Sequence, residues 1–267
     1  MSTRWMRTAV VALTVVATVA AAAACANDEG AGNAKPGTAS GRVTGDVIVF
    51  AAASLTESFT RIGKDFEAAN PGTKVTFNFA GSSALAAQIN QGAPADVFAS
   101  ASPTTMKTVT DAGGGDGAPT TFVTNQLVIA VPKGNPKGIT GLAGLARPGV
   151  KVALCAEQVP CGAAANKALA AAKVTLTPVT LEQDVKAALS KVKLGEVDAA
   201  LVYRTDVKTA ASDVDGVDFP ESAGAINEYP VVVVKDAPNK TAARAFVEYV
   251  LSDKATAVLT GAGFQAP

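Results

Sequence analysis

Small and hydroxyl-bearing residues stand at four places where the sequence predicts that a helix begins after a strand. Ser54 stands at the first of these helix starts, Ser82 at the second, Cys161 at the third and Val185 near the fourth. Tyr203 adds a phenol at the end of a predicted strand. Helix amino termini leave backbone N–H groups without intrahelical acceptors and carry the positive end of the helix dipole. Together with hydroxyl groups, such termini are typical of anion-binding sites.

Each of these signals also has an ordinary structural interpretation. A serine at a helix start is most often an N-cap, and a lone tyrosine at a strand end often belongs to the edge of a core. The four helix starts form two groups along the chain, one before residue 90 and one after residue 155. Spacing alone does not select the binding residues among them, but two groups of donors that face each other would form a cleft.

The sequence contains no histidine, which removes most catalytic and metal-binding arrangements. Without histidine, a serine or cysteine nucleophile lacks its usual activating base, and common zinc sites lack a ligand. A carboxylate-dependent enzyme such as a glycosidase needs paired acids, but Glu182 and Asp184 at a helix start are typical of a solvated face. We therefore predict a binding protein without catalytic residues, cofactor or directly coordinated metal.

The charge balance gives no indication of a nucleic-acid partner. The chain has 23 basic and 23 acidic residues, and subtracting Arg4 and Arg7, which precede every acid, leaves 21 basic residues against 23 acidic ones. A protein that binds nucleic acid usually presents a strongly basic face. We therefore expect no nucleic-acid binding.

The amino terminus has the layout of an export signal. A short positive segment precedes an uncharged stretch rich in alanine and valine, which ends in three alanines before Cys25. The stretch is shorter than the ~20 apolar residues that span a membrane. The pattern predicts a signal over residues 1–24.

Cys25 directly follows this signal and resembles the lipidated cysteine of bacterial lipoproteins. Ala22 replaces the large aliphatic residue usual at that position, so a signal that is cleaved without lipidation is the alternative. Residues 25–45 are rich in small and polar residues and predict a flexible tether after the lipidated cysteine. We expect an exported lipoprotein on the extracytoplasmic face of the cell membrane.

Short apolar runs alternate with helical patterns through the rest of the chain. The β-branched run at 47–50, for example, is followed by Leu55, Phe59 and Ile62 at helical spacing. Further strands are predicted at 74–79, 95–99, 127–131, 150–154, 174–177, 199–203 and 229–234. This alternation predicts an α/β fold with mainly parallel sheets.

Cys155 and Cys161 are predicted to form a disulfide, because they lie six residues apart in a chain with an export signal. Closing so short a loop contributes roughly 2 kcal/mol in the chain-entropy model. The bond would also hold the backbone N–H group of Cys161 in place.

Six segments, in order along the chain, resemble the periplasmic molybdate-binding proteins of ABC importers. They are VFAAASLT at 49–56, FAGSSAL at 79–85, GAPADVF at 92–98, VPCG at 159–162, EQDV at 182–185 and LVY at 201–203. The resemblance implies a type II periplasmic-binding-protein fold, in which two α/β lobes joined by two crossing segments enclose a ligand cleft. We expect lobe I at 46–125 plus 227–267, and lobe II at 126–226.

The resemblance also implies a ligand set, carried over position by position. Ser54 and Ser82 would donate hydroxyl and backbone N–H bonds from lobe I. Cys161 and Val185 would donate backbone N–H bonds from lobe II, and Tyr203 would donate its hydroxyl. Many relatives carry alanine where Cys161 stands, but a backbone donor survives that change. The ligand would be molybdate or tungstate, the partner an ABC permease, and the protein a monomer.

Another tetrahedral oxyanion, sulfate or phosphate, is the alternative ligand. A site with donors only suits a fully ionised anion, whereas protonated phosphate brings a hydrogen that needs an acceptor. Asp184 is adjacent to the predicted site and would favour phosphate if its carboxylate entered the cleft. Its place near a helix start favours a capping role instead. A ligand-sensing domain of a regulator shares this fold, but the export signal argues against it.

Overall fold

The computed structural model describes residues 43–267. The predicted signal, Cys25 and nearly all of the predicted tether lie outside these residues. Within the described range, no helix combines the length and the apolar character that crossing a bilayer requires.

The first of two five-stranded sheets forms the core of lobe I. Its strands are β1 Gly45–Ala52, β2 Thr73–Ala80, β3 Val97–Ala99, β4 Thr120–Asn125 and β10 Asn227–Val233. They lie in the order β2, β1, β3, β10, β4. Strand β1 runs parallel to β2 and β3, whereas β10 is antiparallel to β3 and β4.

The second sheet forms the core of lobe II. Its strands are β5 Leu127–Pro132, β6 Val152–Cys155, β7 Thr180–Glu182, β8 Ala199–Tyr203 and β9 Val214–Val217. They lie in the order β7, β6, β8, β5, β9. Strand β6 is parallel to β7 and β8, and β5 is antiparallel to β8 and β9.

Helices connect most of the strands. They are α1 Thr56–Ala69, α2 Ser82–Asn90, α3 Pro103–Asp111, α4 Leu142–Leu145, α5 Pro160–Ala171, α6 Val185–Lys193, α7 Arg204–Thr209, α8 Lys240–Val250 and α9 Asp253–Ala262. Two 3-10 turns, Ala53–Leu55 and Pro220–Gly224, complete the connections. Helix α1 buries Phe59 and Ile62, two of the residues whose spacing predicted it.

The predicted α/β alternation is confirmed, but the prediction of mainly parallel sheets is wrong. Each sheet has two parallel and two antiparallel pairings. The antiparallel pairings all involve β5 or β10, the two strands that the chain enters directly from the other sheet. Only Gln126 separates β4 from β5. Because no helical crossover within one sheet precedes these strands, they run against their neighbours.

The strand predicted at 174–177 is also wrong. Pairing along this edge begins at Val179, whose N–H donates to the Val152 carbonyl at 2.9 Å, and continues in β7. Pro178 has no N–H to offer a neighbouring strand, so it interrupts pairing just before that point. Val174 is instead partly buried against the core of lobe II.

The two lobes have cores of different composition. Lobe I packs an aromatic cluster in which Phe66 and Phe246 meet edge to face with ring centroids 5.3 Å apart, and Phe59 joins them. Lobe II is filled largely by alanine, valine and leucine. Because each lobe buries its own apolar side chains, each is suited to move as a rigid unit about the crossing segments.

Three charged side chains link the lobes. Lys186 on α6 donates from Nζ to both carboxylate oxygens of Glu57 on α1, at 2.8 and 2.9 Å. The same ammonium lies 3.3 Å from Oδ1 of Asp206, whose side chain is fully buried. Burial lowers the pKa of Lys186, but the carboxylates of Asp206 and Glu57 outweigh burial and raise it overall. Glu57 belongs to lobe I and Asp206 to lobe II, so Lys186 bridges the two lobes.

Burial also dominates the titration of Asp206. It raises the pKa of this carboxyl to about 6, against the opposing effects of Lys186 and of the Tyr203 N–H, which donates to Oδ2 at 3.1 Å. An acid with a raised pKa in the folded state binds protons more tightly there than in the unfolded chain. Its contribution to stability is therefore complete below the unfolded pKa of 3.8 and is lost as the pH rises through about 6.

The variant Asp206→Asn should remove this part of the pH dependence. Relative to the variant, the wild-type protein should lose roughly 3 kcal/mol of unfolding free energy as the pH rises from about 4 to about 7. Urea unfolding of both proteins at four pH values across this range measures the difference. Carboxylates distant from this network are common to both proteins and cancel in the comparison, whereas Glu57 is coupled to Asp206 through Lys186. Parallel pH profiles would contradict the assignment.

Candidate functional site

The five residues predicted to bind a ligand line one cavity between the lobes. Ser54 and Ser82 come from lobe I, and Cys161, Val185 and Tyr203 come from lobe II. Each of them is 4% exposed or less. The cavity has a volume of about 10 Å³ in this structure, which is room for little more than one water molecule. The cavity is thus narrow, and these five residues of its walls are almost fully buried.

The topology brings these residues together because every wall of the cavity is built where a strand ends. In lobe I the chain leaves β1, β2 and β3 at the cavity, and in lobe II it leaves β6, β7 and β8 there. Parallel strands of one sheet end at the same edge, which is where open α/β sheets bind ligands. Residues far apart in sequence therefore meet.

Ser54 lies in the 3-10 turn between β1 and α1. Its hydroxyl is 2.9 Å from the Tyr229 hydroxyl, and either oxygen can be the donor. No side-chain cap bond is made at the start of α1, where Leu55 is the N-cap residue. The alternative in which Ser54 serves only as an N-cap is therefore wrong, because its hydroxyl pairs with the buried phenol of Tyr229 and caps no helix.

Ser82 is the first residue of α2. Its hydroxyl oxygen accepts the N–H of Ala101 at 3.0 Å, which ties the start of α2 to the segment after β3. A serine hydroxyl has one proton to donate beyond the lone pairs that accept. Because Ala101 uses a lone pair, the proton stays available to an acceptor in the cavity.

The start of α5 is shaped by its sequence Val-Pro-Cys-Gly. Pro160 occupies the first turn, where its missing N–H costs nothing. A Cβ at Gly162 would overlap the Ala156 carbonyl oxygen, so glycine lets the turn pack against the chain after β6. The Cys155–Cys161 disulfide joins the same two segments. The N–H of Cys161 lies in the first turn and so has no intrahelical acceptor.

The start of α6 carries the predicted cap. Asp184 is the N-cap residue, and its Oδ1 accepts the N–H of Ala187 at 2.9 Å. The predicted capping role of Asp184 is therefore confirmed. Val185 follows as the first helical residue, and its N–H belongs to the first turn, which has no intrahelical acceptors.

Tyr203 ends β8 and presents a buried phenol. Among residues 43–267, its hydroxyl has no partner at full hydrogen-bonding geometry, although the Tyr229 hydroxyl lies near enough to affect its pKa. Burial raises the pKa of this phenol well above its ordinary value, and the neighbouring Tyr229 and Asp206 raise it further. The hydroxyl therefore keeps its proton. A buried donor without an acceptor costs about 1–3 kcal/mol, which an acceptor placed in the cavity would recover.

The hydrogen-bond donors that line the cavity are electrically neutral groups. Among the residues that line it, Asp184 is the only charged one, and its carboxylate is used as a cap. Across the described part of the chain, no group of three or more carboxylate and cysteine side chains is placed to hold a metal ion. The arrangement can therefore bind an acceptor-rich anion through N–H and O–H donors, assisted by the dipoles of three helices.

Several residues of the site were not predicted from the sequence. Tyr229 and Ala101 hold the two serine hydroxyls, and Asp206 receives the backbone N–H of Tyr203. The first two carry no local signal, since each partner lies many residues away in sequence. Asp206 does carry a local signal in the sequence, because an acid three residues after a helix N-cap often accepts the N-cap backbone N–H.

The chain is similar to known bacterial binding proteins. A family model described as bacterial extracellular solute-binding protein matches residues 47–265. The molybdate-binding protein ModA of Mycobacterium tuberculosis is 46% identical over 221 residues, which cover 83% of this chain and 85% of that protein.

Two solved structures share the fold. The periplasmic molybdate-binding protein of Azotobacter vinelandii matches with a TM-score of 0.70 at 23% identity, over 83% of this chain and 99% of that chain. The sulfate-binding protein SubI of Mycobacterium tuberculosis matches with a TM-score of 0.71 at 20% identity, over 83% of this chain and 86% of that chain. The predicted two-lobed type II periplasmic-binding-protein fold is thereby confirmed. With a family model matched over most of its length, the chain belongs to the bacterial extracellular solute-binding proteins, a family of binding proteins and not of enzymes.

Proposed function

We propose that this chain captures molybdate, and tungstate with it, outside the cytoplasm and delivers it to an ABC import permease. The observation that carries the proposal is the convergence of uncharged donors from both lobes on one small cavity, where the Tyr203 hydroxyl lacks a partner among residues 43–267. The 46% identity to a protein named as molybdate-binding supports the same ligand.

In the proposed complex the anion takes its hydrogen bonds from five positions. Ser54 and Ser82 donate from lobe I through hydroxyl and backbone N–H groups. Cys161 and Val185 donate backbone N–H groups from the first turns of α5 and α6, and Tyr203 donates its phenol. Hydrogen bonds to a charged acceptor are stronger than neutral ones, so these donors replace the hydration shell of a dianion without a cationic side chain.

The donor set favours an anion without protons. Molybdate, tungstate and sulfate are fully ionised near neutral pH, whereas phosphate carries a hydrogen that needs an acceptor in the site. Asp184 is the one carboxylate in the lining, and one of its oxygens, Oδ1, accepts the N–H of Ala187 in the helix cap. Phosphate is therefore the less suitable ligand, and sulfate is the alternative with matching chemistry.

Delivery depends on the two lobes. We assign 46–125 plus 227–267 to lobe I and 126–226 to lobe II, which the membership of the strands in the two sheets supports. Closure over the anion presents a shape that the permease can distinguish from the open form. The Glu57–Lys186 ion pair spans the lobes and would form only on closure.

Anchoring at the membrane completes the proposal. Cys25 would carry the lipid, and the chain up to residue 45 would tether a monomeric binding domain near its permease. A relative in Bacillus subtilis, 34% identical over 229 residues, is named as a putative ABC transporter substrate-binding lipoprotein, which supports this arrangement.

Calorimetric titration of the domain that begins at residue 43 tests the ligand. We expect one molybdate or tungstate ion to bind per chain, because both are fully ionised and match a donor-only cavity. Sulfate should bind more weakly, and phosphate should give no heat above dilution at neutral pH. Heat with phosphate alone would contradict the proposal. Heat with sulfate alone would show that the ligand is sulfate and not molybdate.

The variant Tyr203→Phe tests the phenol. Molybdate affinity should fall by roughly 1–3 kcal/mol, because one charge-assisted bond is lost. The ligand-free variant should be at least as stable as the wild type, because the phenol bonds to no other residue among 43–267. Tyr249→Phe on α8 of lobe I is the matched control and should change neither quantity. Undiminished affinity in Tyr203→Phe would remove this residue from the site.

A further inference from the structure

Backbone meets backbone where the two lobes approach each other beside the cavity. Gly81 lies in lobe I, between β2 and α2, and Gln183 lies in lobe II, between β7 and α6. A Cβ added to Gly81 would overlap the carbonyl oxygen of Gln183 and lie 3.3 Å from its carbonyl carbon. The nearest side-chain atom is Cβ of Asp184, at 3.7 Å. All three of these neighbours belong to the opposite lobe.

Glycine is needed here for space and not for conformation. Gly81 has φ −58° and ψ 132°, values that any L-residue adopts. Its own lobe also leaves room, since the close neighbours of an added Cβ are in lobe II. A methyl group at this position would therefore be compatible with the fold of lobe I and would conflict only with the closed arrangement of the lobes.

This contact lies directly beside two of the proposed donors. Ser82 follows Gly81 in sequence, and Val185 comes two residues after Gln183. The distance between the Gly81 and Gln183 backbones therefore controls the distance between the starts of α2 and α6. Both starts line the cavity, so their separation determines which size of anion can contact both lobes at once.

We infer that Gly81 is a positioning residue that sets how far the cleft closes. Its missing side chain lets the lobes approach until backbone contacts backbone, and at that separation the donors of both lobes reach one tetrahedral ion. The inference rests on the proposed function, because it assigns to Gly81 a role in holding the proposed ligand. Gly81 itself acts through Ser82 and Val185.

The variant Gly81→Ala tests the inference. Overpacking at a rigid contact costs enough to lower molybdate affinity roughly tenfold to a hundredfold. The loss should appear as faster dissociation with little change in association, because the open form that first meets the ion is unaffected. Stopped-flow kinetics and calorimetry measure the two effects. The rise in unfolding temperature on adding molybdate should shrink accordingly.

Gly141→Ala is the matched control. Gly141 lies in lobe II with extended backbone, and a Cβ there would meet no atom within 4 Å. This variant should bind molybdate as the wild type does. Ligand-free Gly81→Ala should unfold at the wild-type temperature, since the lobes can remain apart; a large drop would contradict the inference by placing the conflict within one lobe.

The outcomes separate the two proposals. If the wild type binds molybdate and Gly81→Ala binds it equally tightly with equal dissociation, the role of Gly81 is refuted and the proposed function stands. If the wild type binds none of the four oxyanions, the proposed function fails, and the role of Gly81 in holding such an ion fails with it. Weakened binding in Gly81→Ala with normal ligand-free stability supports both.

Discussion

A buried N–H or O–H group that finds no acceptor costs about 1–3 kcal/mol, and this protein gathers several such groups around one cavity. The phenol of Tyr203 lacks a partner among residues 43–267, and the first turns of α5 and α6 leave backbone N–H groups at the cavity wall. An isolated cavity of this kind would be unfavourable. A multiply charged acceptor satisfies all of these donors at once, which is why we place an oxyanion there.

The rest of the architecture positions these donors around the cavity. Two sheets direct the ends of six strands at the cavity, and the chain crosses between the sheets twice, before β5 and before β10. Neutral donors line the cavity, while the Lys186 ammonium is held outside it by Glu57 and Asp206. Under the proposed function, selectivity then comes from the number of donors and the closeness of the lobes, and not from a cationic side chain.

The helix starts around the cavity were predictable because their signals are local, whereas the choice of five donors among them rested on the resemblance to a known family. The cap at Asp184, the small residues at the helix starts and the proximity of Cys155 to Cys161 are all visible within short segments. Interactions between distant segments were not visible. The partner of Ser54 is Tyr229, 175 positions away, and no local pattern connects them.

The directions of the strands were mispredicted for a related reason. Apolar runs identify strands but not the sheet that each one joins, so β5 and β10 could not be recognised as strands entered from the other sheet. The contact between Gly81 and Gln183 likewise depends on how the lobes approach each other. Such contacts arise from tertiary geometry. In the sequence they show only as a glycine, and since the φ of Gly81 is negative, no turn motif marks it.

Whether neutral donors from both lobes hold the anion can be tested with a crystal structure of the protein grown with molybdate, with diffraction collected at the molybdenum absorption edge. We expect one anomalous peak per chain in the cavity, within hydrogen-bonding distance of the donors of Ser54, Ser82, Cys161, Val185 and Tyr203. No lysine or arginine should contact the ion. A peak outside the cavity, or an ion held by a cationic side chain, would contradict the proposed mode of binding.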